Sequence, residues 1–260
     1  MLTKNELKSI IRLTQKKYRS EFNRFLAEGG RLCEEAIQSG WEVERLLYCS
    51  SFLHSLRARQ ALKLAQQKNI IIDEVSVDAF VSISDTINSQ GVVAVVHKRT
   101  PRVDPLEHIR ENPRSLYVAV EKLHDPGNLG TIMRTADWLG IDGMLIGREC
   151  VEIYNPKVVR ASMGSIFRLP IHEVEGFVEL LKKFHLFGAV IYSADQSGDF
   201  PYTTLRFAPK RVLVLGDEVE GVSPAVQEIV QHRLSIPKRG GGESLNVAIA
   251  AAILMAEMVR

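Results

Sequence analysis

The sequence contains no apolar run long enough to cross a membrane. Its longest, Val247 to Ala256, spans ten residues, whereas a membrane helix needs about 20. The chain is polar and charged from Thr3 onward, which does not match the pattern of a secretory signal peptide. We therefore expect a cytoplasmic protein with no membrane partner, in which the apolar run forms a buried helix.

Cysteine is scarce, and neither cysteine nor histidine shows the spacing of a metal site. The cysteines are odd in number and lie far apart, and the seven histidines form no H-x-x-x-H or H-E-x-x-H pattern. The three cysteines are Cys33, Cys49 and Cys150. This distribution predicts reduced thiols in a reducing compartment and no metal cofactor.

Common nucleotide-binding motifs are absent as well. Neither G-x-G-x-x-G nor G-x-x-x-x-G-K-[ST] occurs in the chain, and no combination of Ser, His and Asp suggests a nucleophilic triad. These absences argue against NAD or ATP chemistry. A nucleotide-dependent oxidoreductase on an ordinary doubly wound sheet remains an alternative, which binding of NAD would support.

The composition is that of a globular protein with one locally basic segment. At 260 residues, 45% hydrophobic and 25% charged, the chain can bury one large core or two modest ones. The net charge is only +2, yet residues 1–31 carry eight basic and three acidic side chains. That excess suggests an anionic partner. From charge alone, a solvated helix face is the simpler explanation.

Strand and helix patterns alternate in two stretches separated by a proline-rich one. Residues 1–98 predict a small α/β domain, which begins with a helix over 3–18 and a short strand over 19–25. Residues 99–114 hold three prolines among charged side chains and predict a linker. Residues 115–260 predict a second α/β domain with a parallel sheet.

Two strand–loop–helix units close the chain. A buried strand over 211–215 stops at Gly216, and a second strand over 234–236 leads into a glycine-rich loop and a helix from Val247 to Val259. Ligands bind open α/β sheets beyond the carboxyl ends of the strands. We therefore expect a site at these strand ends, which we take to be adjacent.

Polar side chains crowd the two loops of this region. They are Glu218, Glu243, Ser244 and Asn246. In the simplest explanation Ser244 is an N-cap, Asn246 is a polar residue of the first turn, and the glycines only allow a turn. That explanation accounts for the caps but not for the number of polar groups, so we favour a ligand site.

A third loop follows the predicted strand over 115–120. It runs from His124 to Gly130, and its glycines open the start of the next helix to a polar or anionic ligand. Asn128 can be explained as an N-cap of that helix and Arg134 as an ordinary surface residue, so a functional role for either would be additional.

These three loops carry a family resemblance. The segments are Asn128 to Ala136 (NLGTIMRTA), Leu213 to Ser223 (LVLGDEVEGVS) and Ile236 to Ala248, which ends in Glu243-Ser-Leu-Asn-Val-Ala248. In this order they resemble the three motifs of the SpoU (TrmH-like) RNA 2′-O-ribose methyltransferases of the SPOUT superfamily. The second motif of that family usually reads Gly-Asn-Glu, where this chain has Gly216-Asp217-Glu218. Residues 1–98 resemble the ribosomal-protein-like RNA-binding domain that often precedes this catalytic domain.

The resemblance implies a fold, a cofactor and an assembly. The fold would be a trefoil-knotted C-terminal domain, and the assembly a homodimer formed through it. The cofactor would be S-adenosylmethionine, bound largely by backbone groups. The residues implied at the cofactor are Leu215, Gly216, Ile236, Leu245 and Asn246.

The resemblance also implies catalytic residues. They are Asn128, Arg134, Glu218, Ser244 and Asn246. Arg134 would bind an RNA phosphate and polarise the ribose hydroxyl, and it would accept the hydroxyl proton only in a site that favours the neutral guanidine, because a free guanidinium is a poor base. Asn128 and Glu218 would fix Arg134 and the loop, while Ser244 and Asn246 would orient substrate and cofactor.

An RNA substrate would give the basic N-terminal segment a function. The candidate phosphate contacts are Lys16, Lys17, Arg19, Arg24 and Arg31. The sequence therefore predicts a methyltransferase acting on a ribose 2′-hydroxyl of ribosomal or transfer RNA, with ribosomal RNA favoured. The alternative is an RNA-binding module of the same fold without activity, against which the intact catalytic set argues.

Overall fold

The chain forms two separate β-sheets, each with its own helices. The structure is a computed structural model that describes residues 2–86 and 88–260. The strands are β1 Arg24–Glu28, β2 Val43–Tyr48, β3 Ile71–Glu74, β4 Val92–His97, β5 Ser115–Val120, β6 Gly143–Gly147, β7 Ile171–Val174, β8 Val190–Ala194, β9 Phe200–Pro201, β10 Lys210–Leu215 and β11 His232–Ser235. The helices are α1 Lys4–Arg12, α2 Lys16–Phe22, α3 Gly30–Gln38, α4 Leu56–Gln67, α5 Val77–Ile83, α6 Pro105–Glu111, α7 Pro126–Trp138, α8 Pro156–Ala161, α9 Phe177–Leu186, α10 Pro224–Gln227 and α11 Val247–Met258.

The first compact unit contains a four-stranded sheet. It comprises the described residues up to Arg99 together with Glu152–Arg168. The strand order is β1-β4-β2-β3, with β4 antiparallel to both neighbours and β2 parallel to β3. Helices α3 and α4 pack so closely that a Cβ on Gly30 would lie 2.5 Å from the backbone nitrogen of Ala58. Gly30 therefore allows the two helices to touch.

The segment Glu152–Arg168 packs within the first unit, although sequence order had placed it in the domain over 115–260. Helix α8, in this segment, lies against β1. The ring of Tyr154 lies 4.8 Å from that of Phe25, and Trp41 Nε1 donates to the Phe167 carbonyl at 3.1 Å. Local sequence patterns identify the helix but not the surface it covers.

The strand predicted over 19–25 is wrong for most of its length. Helix α2 continues to Phe22, Asn23 takes a left-handed conformation with φ 52°, and β1 starts only at Arg24. Asparagine tolerates this conformation better than other non-glycine residues, so it can end a helix without a glycine. The separate helices α1 and α2 also replace the single helix predicted over 3–18.

The second compact unit is built on a parallel sheet. It comprises Thr100–Val151 and Leu169–Arg260, and its strand order is β7-β6-β5-β10-β8-β11-β9 with parallel pairing throughout. The α/β class and the parallel sheet are thereby confirmed. The central strands β5 and β10 are largely buried, as expected for a sheet covered on both faces.

The strand order corrects one expectation about the site. Strands β10 and β11 are not adjacent, because β8 lies between them, whereas β5 is a direct neighbour of β10. The loops after β5, β10 and β11 still leave the sheet at one edge, since all three strands are parallel. That edge collects all three motif loops.

The C-terminal helix α11 is only half-buried, in contrast to the buried helix predicted from its apolar sequence. Ala251, Leu254 and Met255 are inaccessible, whereas Ile249 is 49% exposed. Helix α11 packs against α7, and Arg211 Nη2 donates to the Met258 carbonyl at its end. Within residues 2–86 and 88–260, no helix is both long and apolar enough to cross a membrane.

Candidate active site

A chain of three hydrogen-bonded side chains joins the three motif loops, and Asn128 is its centre. Asn128 Nδ2 donates to Glu218 Oε1, and Asn128 Oδ1 accepts from Asn246 Nδ2 at 3.0 Å. The three residues follow β5, β10 and β11 respectively; Asn128 is half-buried, whereas Glu218 and Asn246 are exposed. The two bonds use both ends of the Asn128 amide, which fixes its orientation.

The local fold leaves the Asn128 side chain free for this role. Asp125 is the N-cap of α7, with Pro126 at its first position, and Asp125 Oδ1 accepts from the backbone nitrogen of Asn128 at 2.7 Å. Asn128 is thus the third residue of the helix, and the explanation of it as an N-cap is wrong. Because Asp125 satisfies the backbone donor, the amide of Asn128 can bind other groups.

Asn246 combines a structural and a site contact. It is the N-cap of α11, and its Oδ1 accepts from the backbone nitrogens of Ala248 at 2.9 Å and Ile249 at 3.3 Å. Its Nδ2 remains available for Asn128. Ser244, the alternative cap, is exposed and makes no hydrogen bond to any residue that the structure describes.

The loop after β10 is closed by a contact that only glycine allows. A Cβ on Gly216 would lie 2.2 Å from the carbonyl carbon of Gly221. Asp217 N donates to the Gly221 carbonyl at 2.8 Å, and Gly221 N donates back to the Asp217 carbonyl at 3.0 Å. Gly221 itself has φ +70°, a value that favours glycine. This closure presents Glu218 to Asn128.

The Asp217 carboxylate organises the tip of the same loop. Its Oδ1 accepts from the backbone nitrogens of Val219 at 2.9 Å and Glu220 at 3.1 Å. These bonds stabilise the charged form and lower the pKa of Asp217, with the Val219 bond as the main cause. Asp217 acts here as an acceptor, a role that the oxygen of an asparagine also fills. The departure from Gly-Asn-Glu therefore preserves the loop.

Two contacts of charged side chains near the site were not predicted from the sequence. Glu121 accepts from the Ser223 backbone nitrogen at 2.8 Å and from its hydroxyl at 2.5 Å. Lys122 Nζ lies 3.1 Å from Glu220 Oε2, and this hydrogen bond raises the pKa of Lys122. Glu121 and Lys122 come directly after strand β5, so their position at a strand end was a usable signal.

Arg134 is not part of the hydrogen-bonded group of Asn128, Glu218 and Asn246. It is exposed on α7, whose inner face buries Leu129, Ile132 and Met133. No hydrogen bond or ion pair joins Arg134 to any described residue, so the expected contacts from Asn128 and Glu218 are not present; those two side chains bind each other instead. The guanidinium is therefore free to meet an anionic ligand.

The residues expected at the cofactor lie at the ends of β10 and β11 and in the loop before α11. Leu215 and Gly216 are buried at the end of β10, Ile236 is half-buried after β11, and Leu245 is 43% exposed. Over residues 238–245, no backbone group is hydrogen-bonded to a described residue. A ligand with amino, carboxylate, hydroxyl and adenine groups could use these donors and acceptors, so the arrangement fits S-adenosylmethionine.

The candidate RNA contacts of the first unit differ in availability. Lys16 and Lys17 are exposed, and Arg31 is 43% exposed with Glu35 at 4.0 Å. Arg24 pairs with Glu44 at 2.5 Å. These four contacts remain predictions.

Arg19 does not have the surface position that its prediction required. It is 3% exposed, its guanidinium pairs with Glu152, and its Nη1 donates to the Leu13 carbonyl at 2.8 Å. A buried guanidinium whose donors are used internally is not available to a phosphate. We therefore remove Arg19 from the candidate RNA contacts.

The molecule is an α/β protein whose candidate ligand site lies at the carboxyl edge of a parallel sheet. Residues 115–256 match the SpoU rRNA Methylase family, and residues 4–94 match the MRM3-like substrate binding domain. The chain belongs to the SpoU family, which confirms the resemblance seen in its three motifs.

Relatives align with nearly the whole chain. A 23S rRNA (guanosine(2553)-2′-O)-methyltransferase of Bacillus subtilis is 31% identical over 94% of this chain and 92% of that protein. A 23S rRNA (uridine(2479)-2′-O)-methyltransferase of Streptomyces viridochromogenes is 31% identical over 93% and 84%. The crystal structure of an AdoMet-bound rRNA methyltransferase from Sinorhizobium meliloti superimposes with a TM-score of 0.84 at 31% identity, covering 99% of this chain and 95% of that one.

Proposed function

We propose that this protein transfers a methyl group from S-adenosylmethionine to a ribose 2′-hydroxyl of ribosomal RNA. The observation that carries the proposal is the hydrogen-bonded chain of Glu218, Asn128 and Asn246, which joins the three family motifs at one sheet edge. Relatives of this chain are named as 23S rRNA 2′-O-methyltransferases, which favours ribosomal over transfer RNA. A ribosomal substrate also fits a cytoplasmic protein.

The residues of the site can position both reactants. S-adenosylmethionine, when bound, supplies an electrophilic methyl group. The free backbone over 238–245, together with Leu215, Gly216 and Ile236 at the ends of β10 and β11, would hold this cofactor. Since Asn128 is fixed at both ends, it can hold the motif loops in register while substrate binds. Such fixed geometry is the main contribution that a protein makes to a displacement reaction.

Arg134 is assigned to the RNA. It is exposed and unpaired among the described residues, and arginine stays protonated at neutral pH. Its planar guanidinium can bind a phosphate next to the target ribose and polarise the 2′-hydroxyl. Ser244, exposed in the third motif loop, would orient the substrate or the end of the cofactor.

We further propose a homodimer formed through the C-terminal domain. Helices α7 and α11 pack together and carry exposed apolar side chains: Trp138 is 88% exposed, Ile249 49% and Val259 40%. Exposed large apolar side chains on two helices that pack together are typical of a protein interface. A symmetric contact would place Arg134, also on α7, near the partner. Light scattering should give twice the monomer mass, and Trp138→Glu should lower it.

The family resemblance also supports a proposal for the domain functions and for a knot. We propose that residues 1–98 bind the RNA substrate, that 99–114 connect the domains, and that 115–260 carry the methyltransferase. In this domain the loop over 236–246 and the helix α11 would thread back through the chain as a trefoil knot. Cofactor protection of this loop from proteolysis would support the assignment.

The test is transfer of labelled methyl from S-adenosylmethionine to ribosomal RNA taken from cells that lack the gene. Label at one position, resistant to alkaline cleavage, would establish 2′-O-methylation and name the nucleotide. Arg134→Ala should abolish transfer while cofactor binding is retained. RNA binding and cofactor binding without any transfer would instead favour the inactive RNA-binding module.

A further inference from the structure

Two aromatic rings on α2 have cationic side chains over them. The guanidinium carbon of Arg12 lies 5.0 Å from the centre of the Tyr18 ring, and Lys17 Nζ lies 5.7 Å from it. The Tyr18 ring is stacked on Phe22, with centroids 5.8 Å apart, and the guanidinium carbon of Arg24 lies 5.5 Å from the Phe22 ring. We call these five residues the Tyr18 platform.

The backbone under the platform is held in place from the inside. Tyr18 and Phe22 are four residues apart and therefore lie on one face of α2. Arg19, between them, points inward and binds Glu152 and the Leu13 carbonyl. The helix is thus fixed by a buried ion pair, and the rings need not be ordered when a ligand arrives.

Three of the four polar side chains of the platform have no polar partner among the described residues. Arg12 and Lys17 are exposed and form no ion pair with any described residue. The Tyr18 hydroxyl likewise has no hydrogen-bond partner there, whereas Tyr48 Oη donates to Glu74 Oε2 at 3.2 Å. Arg24 is the exception, since Glu44 already neutralises it. The free charge is therefore concentrated around the Tyr18 ring.

The chemistry of this surface matches an unpaired nucleotide. Planar rings and guanidinium groups stack on exposed bases, and neighbouring cations bind the flanking phosphates. Duplex RNA would use the cations but has no free base face for Tyr18. Resting on the proposed action on RNA, we propose that the Tyr18 platform binds an unpaired nucleotide of the substrate. The base stacks on Tyr18, and Arg12 and Lys17 contact its phosphates.

The experiment measures binding of the full-length chain to two labelled RNAs, an unpaired oligoadenylate and a duplex of equal total charge. Tyr18→Leu should weaken oligoadenylate binding by about tenfold, in line with the loss of one base stack, and leave duplex binding within about twofold. Tyr18→Trp should restore it. The aromatic control is Tyr48→Leu, which changes a half-buried tyrosine elsewhere in the first unit.

A second pair of variants separates stacking from charge. Arg12→Ala with Lys17→Ala should weaken binding of both RNAs and reduce the salt dependence, whereas Lys63→Ala, an exposed lysine on α4, should do neither. Equal weakening of oligoadenylate and duplex by Tyr18→Leu, or no weakening of either, would overturn the proposal. Thermal unfolding of each variant checks that the fold is retained.

Methyl transfer distinguishes this proposal from the one on which it rests. If wild type methylates ribosomal RNA and Tyr18→Leu raises KM without lowering kcat, both stand. If Tyr18→Leu changes neither the KM and kcat of methyl transfer nor the binding of oligoadenylate, the platform proposal fails while the proposed function stands. If no transfer occurs but oligoadenylate binding depends on Tyr18, the platform stands and the proposed activity fails.

Discussion

Substitutions of Asn246 can separate the stability of the site from its chemistry, because the side-chain oxygen and nitrogen of Asn246 bind different partners. Its oxygen caps α11 through Ala248 and Ile249, and its nitrogen donates to Asn128. Asn246→Asp keeps an oxygen for the cap and places a negative charge at a helix start, where it is favourable. It also replaces the donor that faces Asn128 Oδ1 with an acceptor.

The magnitudes follow from these contacts. Loss of an N-cap costs about 1 kcal/mol, and loss of an exposed hydrogen bond about 0.5–1 kcal/mol. Asn246→Ala loses both contacts, so it should be less stable by about 1.5–2 kcal/mol, which lowers Tm by roughly 3–8 °C in a chain of this size. Asn246→Asp should stay within about 0.5 kcal/mol of wild type, since the retained cap and the helix dipole offset the lost bond.

The two variants should nevertheless share a defect in methyl transfer. Both lose the bond that orients the Asn128 amide, so we expect kcat to fall about tenfold or more in each, while only Asn246→Ala loses stability. Urea denaturation and methyl transfer to ribosomal RNA measure the two effects on the same preparations. Full activity in Asn246→Asp would refute the view that Asn246 acts through Asn128.

Three other changes test separate parts of the structure. Gly216→Ala should disrupt the loop after β10 and abolish cofactor binding by calorimetry, because its Cβ would lie 2.2 Å from the backbone of Gly221; unchanged affinity would contradict this. Asp217→Asn should retain activity near pH 7. The lowered pKa of Asp217 means that the wild type loses loop stability as pH falls through the folded-state pKa, below its usual value near 3.8, and the variant should lack this step in acid unfolding. Arg19→Met should lower the free energy of unfolding, measured by urea denaturation, by about 3 kcal/mol. The reason is that Glu152, only 6% exposed, keeps Lys98 at 3.4 Å as its sole remaining cation among the described residues. A decrease below about 1 kcal/mol would contradict this.

The local signals in the sequence were reliable where neighbouring residues decide the structure. Asn155 and Pro156 start α8 and Ser223 and Pro224 start α10, and each pair is a capping residue followed by a proline, the usual sequence pattern of a helix start. A cap involves only residues within one turn, so a few neighbouring positions of the sequence are enough to predict it. For Asn128 and Ser244 the same reasoning chose the wrong residue, because Asp125 and Asn246 offered competing caps close by.

The motifs allowed more of the site to be predicted than local structure alone. They identified the SpoU family, and they named Asn128, Glu218 and Asn246, which the structure brings together. They did not predict that these three residues bind one another rather than Arg134. A motif records which residues occur together, whereas a hydrogen bond depends on how the loops close.

The sequence by itself determined the α/β class, the parallel sheet, the helix that begins at Val247 and the family. Tertiary structure alone decided that Arg19 is an internal ion-pair partner of Glu152, that Glu152–Arg168 joins the first unit, and that β8 separates β10 from β11. The physical reason is distance along the chain. Caps and strand patterns depend on residues a few positions apart, but Arg19 and Glu152 are 133 positions apart, and only the folded path of the chain brings such residues into contact.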